Sequence, residues 1–289
     1  MTDADLAAPA RVGVLGGGRM GAGIAHAFLL AGSHVTIVER DDDAAAGARE
    51  RVSRSIDQSV SRGTIAAAEP AQGRLEVTAE IDAFADRALV VEAVPEDLEL
   101  KAAALARVER QIAGDAVIAS NTSSIPLDRL ADALERPERL IGLHFFNPVP
   151  ASSLVEIVVG ARTSAELPAS AHRWVEALGK TPITVSDSPG FASSRLGVAI
   201  ALEAIRMVEE GVASAADIDL AMELGYRHPS GPLRTSDIVG LDVRLGIAEQ
   251  LERDLGERFS PPQLLRDMVE DGRLGRKSGR GFYDWTTSA

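Results

Sequence analysis

The sequence has 289 residues, a formal net charge of −13 and no cysteine. Missing thiols exclude disulfides, thiolate-held metals and a cysteine nucleophile, and the acidic balance argues against nucleic acid, whose phosphates need a basic face. No apolar run is long enough to span a membrane, and the acidic start Met1-Thr2-Asp3-Ala4-Asp5 lacks the layout of a secretory leader, so a cytoplasmic protein without a membrane partner is expected. The length accommodates one large domain or two moderate ones. With 45% hydrophobic but only 4% aromatic residues, the core must be aliphatic.

In chain order, apolar runs at 12–15 and 35–38 flank a helix-like stretch at 20–31, and a second such stretch covers 43–60. The low-complexity patch 64–71 reads as a connection. Further apolar runs lie at 89–91, 117–119, 140–143, 154–159 and 183–185, with a helical stretch at 98–112. The early runs are almost continuously apolar, as in parallel strands covered on both faces. Alternation with helices predicts an α/β fold with a doubly wound, Rossmann-type sheet. After Asp187-Ser188-Pro189-Gly190 no strand pattern is convincing. Apolar residues at helical spacing cover 196–210 and stop at Gly211. Ser214 is positioned as the N-cap of a helix running to Leu224, with Gly225 just past its end. Helical stretches at 238–255 and 262–270 complete an all-helical region. The expected organisation is therefore a nucleotide-binding domain over 1–187 and a helical domain over 188–289.

The loop Gly16-Gly17-Gly18-Arg19-Met20-Gly21 follows the first strand and opens the first helix. Gly16 permits the tight turn, Gly18 lets backbone approach a pyrophosphate, and Gly21 allows close packing of helix on strand. The free N–H groups of the helix start, at Arg19 and Met20, favour phosphate. A bare GxGxxG is weak evidence, but one placed between strand and helix is strong. Glu39 ends the second strand, where a carboxylate accepts from both ribose hydroxyls. Asp41, Asp42 and Asp43 repel a 2′-phosphate, and Arg40 is the contrary signal. NAD is favoured over NADP, and FAD fits less well because nothing else resembles a flavin platform. No metal site is expected.

The fourth apolar run leads into Ser120-Asn121-Thr122-Ser123-Ser124, placing hydroxyls and an amide where ligands bind an open α/β sheet. The next run ends in His144-Phe145-Phe146-Asn147-Pro148-Val149-Pro150, and Glu156 follows His144 by twelve positions. A base held by a carboxylate moves a proton off a hydroxyl at neutral pH. Each element alone has an ordinary reading: a structural histidine, a surface glutamate on an edge strand, a serine-rich turn. Their conjunction beside a dinucleotide loop favours chemistry.

These segments resemble the short-chain L-3-hydroxyacyl-CoA dehydrogenases, of which the 3-hydroxybutyryl-CoA dehydrogenases are the bacterial form. The matching stretches are 12–21, Val91-Glu92-Ala93-Val94 with Glu96 and Lys101, 119–124, 142–150, Leu154-Val155-Glu156, Pro189-Gly190-Phe191, 228–233 and 274–283. They lie in the family's order across nearly the whole chain. The resemblance implies NAD-dependent interconversion of a 3-hydroxyacyl thioester and its 3-oxoacyl form, in fatty acid metabolism. It implies that His144 takes the proton of the 3-hydroxyl, Glu156 orients His144, and Ser123 bonds the reacting oxygen. Glu96 and Lys101 would contact the nicotinamide side of the cofactor, with Asn121 in the same binding set. Asn147 would shape the substrate side of the loop, and Arg62 would meet the CoA phosphates. The helical domain would pair two copies into a homodimer.

One departure concerns the acyl group. Where the family has asparagine before arginine, thought to bond the acyl substrate, this chain has Ser194 in Phe191-Ala192-Ser193-Ser194-Arg195. Polar residues also occupy Pro150-Ala151-Ser152-Ser153 and His228-Pro229-Ser230-Gly231-Pro232, hinting at a more polar acyl group. Three alternatives follow: the same chemistry on an acyl-carrier protein, met by Arg273, Arg276, Lys277 and Arg280; the same chemistry on a free hydroxy acid; or a nucleotide-binding relative without turnover. Lysine-dependent hydroxyacid dehydrogenases are excluded, since no lysine occurs between Lys180 and Lys277.

Overall fold

The computed structural model describes residues 7–286, so the acidic N-terminal pentapeptide lies outside the described residues. The chain divides into two compact units, the first ending at Asp187 and the second beginning at Ser188.

The first unit is built on strands β1 (Arg11–Leu15), β2 (His34–Val38), β3 (Leu75–Thr78), β4 (Leu89–Glu92), β5 (Val117–Ser120), β6 (Leu140–Phe145), β7 (Leu154–Val159) and β8 (Thr181–Ser186). Their order is β3-β2-β1-β4-β5-β6-β7-β8. Every neighbouring pair is parallel except β6 with β7. Strand order reverses between β1 and β4, which opens a crevice at the carboxyl edge there. Helices α1 (Arg19–Leu30), α2 (Asp42–Ser61), α3 (Glu69–Gln72), α4 (Leu98–Glu109), α5 (Leu127–Ala131) and α6 (Leu167–Ala177) connect the strands. Within α1, Ile24, Phe28 and Leu29 are fully buried and share one cluster with Val12, Val14 and Val35. Each such side chain contributes about 1.5–3 kcal/mol on burial. The helix ends just before Gly32, whose φ of 92° suits glycine.

The doubly wound sheet expected from the sequence is present, with one strand more than the apolar runs marked. β3 is one of the two edge strands, only half-buried along its length, so it needs no continuous apolar run. It pairs with β2 from Val35↔Leu75 to Val38↔Thr78. The patch expected to be a plain connection also holds the short helix α3.

In the second unit the helices are α7 (Ser193–Glu209), α8 (Ala215–Tyr226), α9 (Pro232–Val239), α10 (Leu241–Leu255) and α11 (Gln263–Glu270). They enclose a core that includes Val198, Leu202, Ile205, Leu233, Leu241 and Leu251. Among the described residues this unit has isolated bridges but no named strand. Ser214 caps α8 as expected, its hydroxyl accepting from the Asp217 N–H at 3.2 Å. Two boundaries differ from expectation. Gly225 lies inside α8, and the left-handed residue that ends the helix is Arg227, with φ 59°. The stretch expected as one helix over 238–255 breaks at Gly240, whose φ of 109° separates α9 from α10. Two buried carboxylates pin the C-terminal segment: Asp219 accepts from the Tyr283 hydroxyl at 2.7 Å, and Asp237 from the Phe282 and Tyr283 N–H groups and Trp285 Nε1.

Candidate active site

The parallel register brings the carboxyl ends of four strands to one edge. Leu15 pairs with Glu92, Glu92 with Ser120, and Ser120 with Gly142, two residues before His144. The glycine loop leaves β1 at this edge. Gly16 has φ 91°, and a Cβ at Gly21 would lie 1.8 Å from the Gly16 carbonyl oxygen, so Gly21 is required by the turn itself. Gly17, not singled out in the sequence, is equally constrained: a Cβ there would lie 2.4 Å from that of Ala48 on α2. At Gly18 a Cβ would meet nothing within 4 Å, leaving an open face at the N-cap of α1. The cap has no side-chain hydrogen bond and the first turn no acidic residue, so the N–H groups at Arg19 and Met20 head a helix suited to anions. Glu39 is fixed at the end of β2, where its Oε1 accepts from the Gly17 N–H at 2.7 Å. Arg40 turns aside to pair with Asp41, which N-caps α2 through the Ala44 N–H. These residues fit an NAD: a glycine cradle open at Gly18, an uncapped helix start, and a carboxylate at ribose position.

A buried polar network supports the next loop. Glu92, fully buried at the end of β4, accepts from Lys101 Nζ at 2.8 Å, from the Val94 N–H at 2.7 Å and from the Ser120 hydroxyl at 2.6 Å. Lys101 is itself buried on α4 and also reaches Glu96 Oε2 at 3.3 Å. Glu96 Oε1 in turn accepts from the Thr122 hydroxyl at 2.6 Å and the Ser123 N–H at 2.8 Å. Desolvation raises the Glu96 carboxyl, but the Lys101 charge and the Thr122 and Ser123 hydrogen bonds outweigh it and hold the group below the usual carboxylate range. Two side chains expected at the cofactor also brace this edge from within the protein. The Lys101 ammonium is enclosed by Glu92, Glu96 and the Val94 carbonyl. The Asn121 Oδ1 accepts from the Phe145 N–H at 2.8 Å, tying β5 to the residue after His144.

His144 and Glu156 oppose each other in the antiparallel register of β6 and β7. Their separation of twelve residues is thus the path around one hairpin. The imidazole Nδ1 lies 2.7 Å from Glu156 Oε2, with both side chains buried. An ionised carboxylate can only accept, so Nδ1 carries the proton of this bond and the ring's basic position is Nε2. The Phe146 ring packs on the imidazole with centroids 4.5 Å apart. The loop that follows, which holds Asn147, is held from two sides. Val149 seats against Gly23 of α1, where a Cβ would lie 2.8 Å from the valine's own Cβ. Lys180 Nζ donates to the carbonyls of Val149 at 2.6 Å and Ser152 at 2.5 Å.

The structure therefore gathers Gly16, Gly18, Gly21, Glu39, Glu96, Ser123, His144 and Glu156 along one sheet edge. Arg62 is the C-cap of α2 and belongs to no part of this network. Ser194 lies in the first turn of α7, in the second unit. Sequence reasoning gave no role to Glu92 or Lys180. A lone carboxylate ending the apolar run of β4 was the available signal for Glu92; a lysine before β8 carries none.

The sequence profile described as the NAD binding domain of 3-hydroxyacyl-CoA dehydrogenase matches residues 11–188, and that of the same enzyme's C-terminal domain matches 190–285. A Mycobacterium tuberculosis protein named 3-hydroxybutyryl-CoA dehydrogenase is 45% identical over 283 residues, covering 95% of this chain and 98% of its own. The crystal structure of FadB2 from the same organism superposes with a TM-score of 0.93 at 43% identity, covering 96% of this chain and all of that one. That of (S)-3-hydroxybutyryl-CoA dehydrogenase from Ralstonia eutropha gives 0.92 at 37% identity, covering 97% and 100%. With both domain profiles matched in order and relatives aligned along nearly the full length, the chain belongs to the 3-hydroxyacyl-CoA dehydrogenase family.

Proposed function

We propose that this chain is an NAD-dependent dehydrogenase that oxidises the 3-hydroxyl of a short acyl-CoA to the ketone and catalyses the reverse reduction, within fatty acid metabolism. The observation that carries the reading is the buried 2.7 Å bond between His144 Nδ1 and Glu156 Oε2 at the sheet edge that also bears the glycine loop. NAD, when bound along that loop, supplies the hydride acceptor. The chain's own part is proton transfer and placement. His144 Nε2 takes the hydroxyl proton, and Glu156 stabilises the imidazolium that results. The Ser123 hydroxyl bonds the reacting oxygen from a loop that Glu96 fixes. Glu39 accepts from the adenosine ribose, and the helix start at Arg19 and Met20 meets the pyrophosphate. Asn147 borders the substrate beside the base, Ser194 contacts the acyl group, and Arg62 meets the CoA phosphates.

The test is the appearance of NADH absorbance when the purified chain is given NAD and (S)-3-hydroxybutyryl-CoA. Steady NADH formation is expected. Turnover confined to a carrier-protein thioester or a free hydroxy acid, or NAD binding with no turnover on any of these, would replace this reading.

We also propose a homodimer formed through the helical unit. On α8, Leu220 and Leu224 are exposed one turn apart on one face, and Tyr226 at the helix end is 75% exposed. Exposed apolar clusters of this kind mark association surfaces. Light scattering should give twice the 30.4 kDa chain mass; a monomer at all concentrations would end the proposal.

A further inference from the structure

We infer that Lys180 is a positioning residue for the substrate: its ammonium clamps the loop 146–153 and so places Phe146 and Asn147 beside the base. This rests on the reading above, in which Asn147 borders the substrate next to His144.

The loop has little of its own to hold it. Of residues 147–153 only Val149 is buried, while Asn147, Pro148, Pro150, Ala151 and Ser153 are exposed. The backbone closes one internal turn, in which the Ala151 and Ser152 N–H groups donate to the Pro148 carbonyl at 3.0 and 3.1 Å. Segments with so few buried apolar contacts open readily unless they are tied down. Val149 wedges against Gly23 of α1, and the Thr181 N–H donates to the Ser153 carbonyl at 2.6 Å. Between these ties, Lys180 Nζ donates to the carbonyls of Val149 at 2.6 Å and Ser152 at 2.5 Å. Its two bonds bracket the turn, where carbonyls left open favour a cation.

Nothing else among the described residues claims this ammonium. No carboxylate pairs with it, and burial lowers it from the usual lysine range. The His26 imidazole of α1 feels the Lys180 charge but adds none of its own. Burial first, and that charge second, hold His26 below its usual value, so it is neutral at neutral pH. An ammonium kept in such a place costs desolvation, and its ligands are two carbonyls of a single loop. The effect reaches the chemistry through the chain. Phe146, whose ring packs on the imidazole, and Asn147 lead from β6 directly into the clamped turn. His144 is fixed separately, by the β6–β7 register and by Glu156. Lys180 therefore governs where the substrate lies against the base, and leaves the base and the cofactor loop alone.

The experiment measures kcat and KM for (S)-3-hydroxybutyryl-CoA, Kd for NAD, and amide hydrogen exchange of the ligand-free protein, in wild type and Lys180 variants. Lys180→Met keeps an apolar stem without charge or donors. It should raise KM about tenfold and lower kcat about threefold to tenfold, with the Kd for NAD within about twofold of wild type. Exchange at 147–153 should quicken about tenfold while β1 and β6 keep their wild-type rates. Lys180→Arg should recover part of both effects, because charge and donors return on a longer, planar head. A lysine that only stabilises the fold would lower Tm and leave KM and kcat of the folded enzyme unchanged. Constants within about twofold of wild type, or exchange that quickens evenly across the first unit, would overturn the assignment. Should Lys180→Met fail to fold, Lys180→Gln, which keeps a donor without the charge, decides by the same two readouts. If the wild type oxidises no 3-hydroxyacyl-CoA, the dehydrogenase reading fails and takes this role with it. Wild-type turnover with an unaltered Lys180→Met removes the role of Lys180 alone.

Discussion

His144→Asn should lower kcat by roughly a hundredfold to ten-thousandfold, the range that a positioned general base supplies. Asparagine is the informative replacement because its amide still donates to the buried Glu156 carboxylate, whereas alanine would remove that donor from a carboxylate with 0% exposure. The variant should melt close to the wild type and bind NAD with similar affinity, since the glycine loop and Glu39 lie on other strands. The loss should fall on kcat more than on KM, because the proton leaves the substrate only as the transition state forms. A kcat within about threefold of wild type would remove His144 from the chemistry, as general-base contributions are not so small.

How much of this site the sequence disclosed depended on the range over which each feature is determined. The glycine loop is local: turn, helix start and φ > 0 at Gly16 are written in six consecutive residues. The base and its carboxylate were legible as residue types, but their contact is set by the antiparallel register of β6 and β7, the one departure from parallel order in the sheet. Edge strand β3 was hidden because a strand covered on one side needs few apolar residues; Glu76 instead accepts from the Thr36 hydroxyl at 2.7 Å. Gly225 and Gly240 show why glycine is ambiguous. One sits inside a helix with no backbone demand on it, and the other, at φ 109°, breaks a pattern that looks continuous. Lys101 was the least legible. The resemblance singled it out as a cofactor contact, and only the three-dimensional position of Glu92 shows that it is buried.

That burial sets the second large effect. Lys101→Met should destabilise the protein by about 3–5 kcal/mol, the cost of leaving one member of a buried ion pair alone. Glu92 would keep its bonds from the Val94 N–H and the Ser120 hydroxyl, yet its charge would lose the cation that pairs with it. The Tm should drop by roughly 6–20 °C for a unit of this size. Adding Glu92→Gln to Lys101→Met should recover a good part of the loss, since the amide removes the stranded charge. The alternative, a lysine that acts by touching the cofactor, makes a different forecast. In that case the ligand-free protein would melt within about 1 °C of wild type while NAD bound more weakly, and the double variant would offer no relief. The buried-pair account also reaches the chemistry. Lys101 is the cation beside Glu96, and Glu96 holds the backbone of Ser123 at 2.8 Å. Loss of the lysine should therefore loosen the serine loop and lower kcat as well as stability, and the Glu92→Gln addition should restore stability without restoring kcat, because the charge that positions Glu96 is still missing.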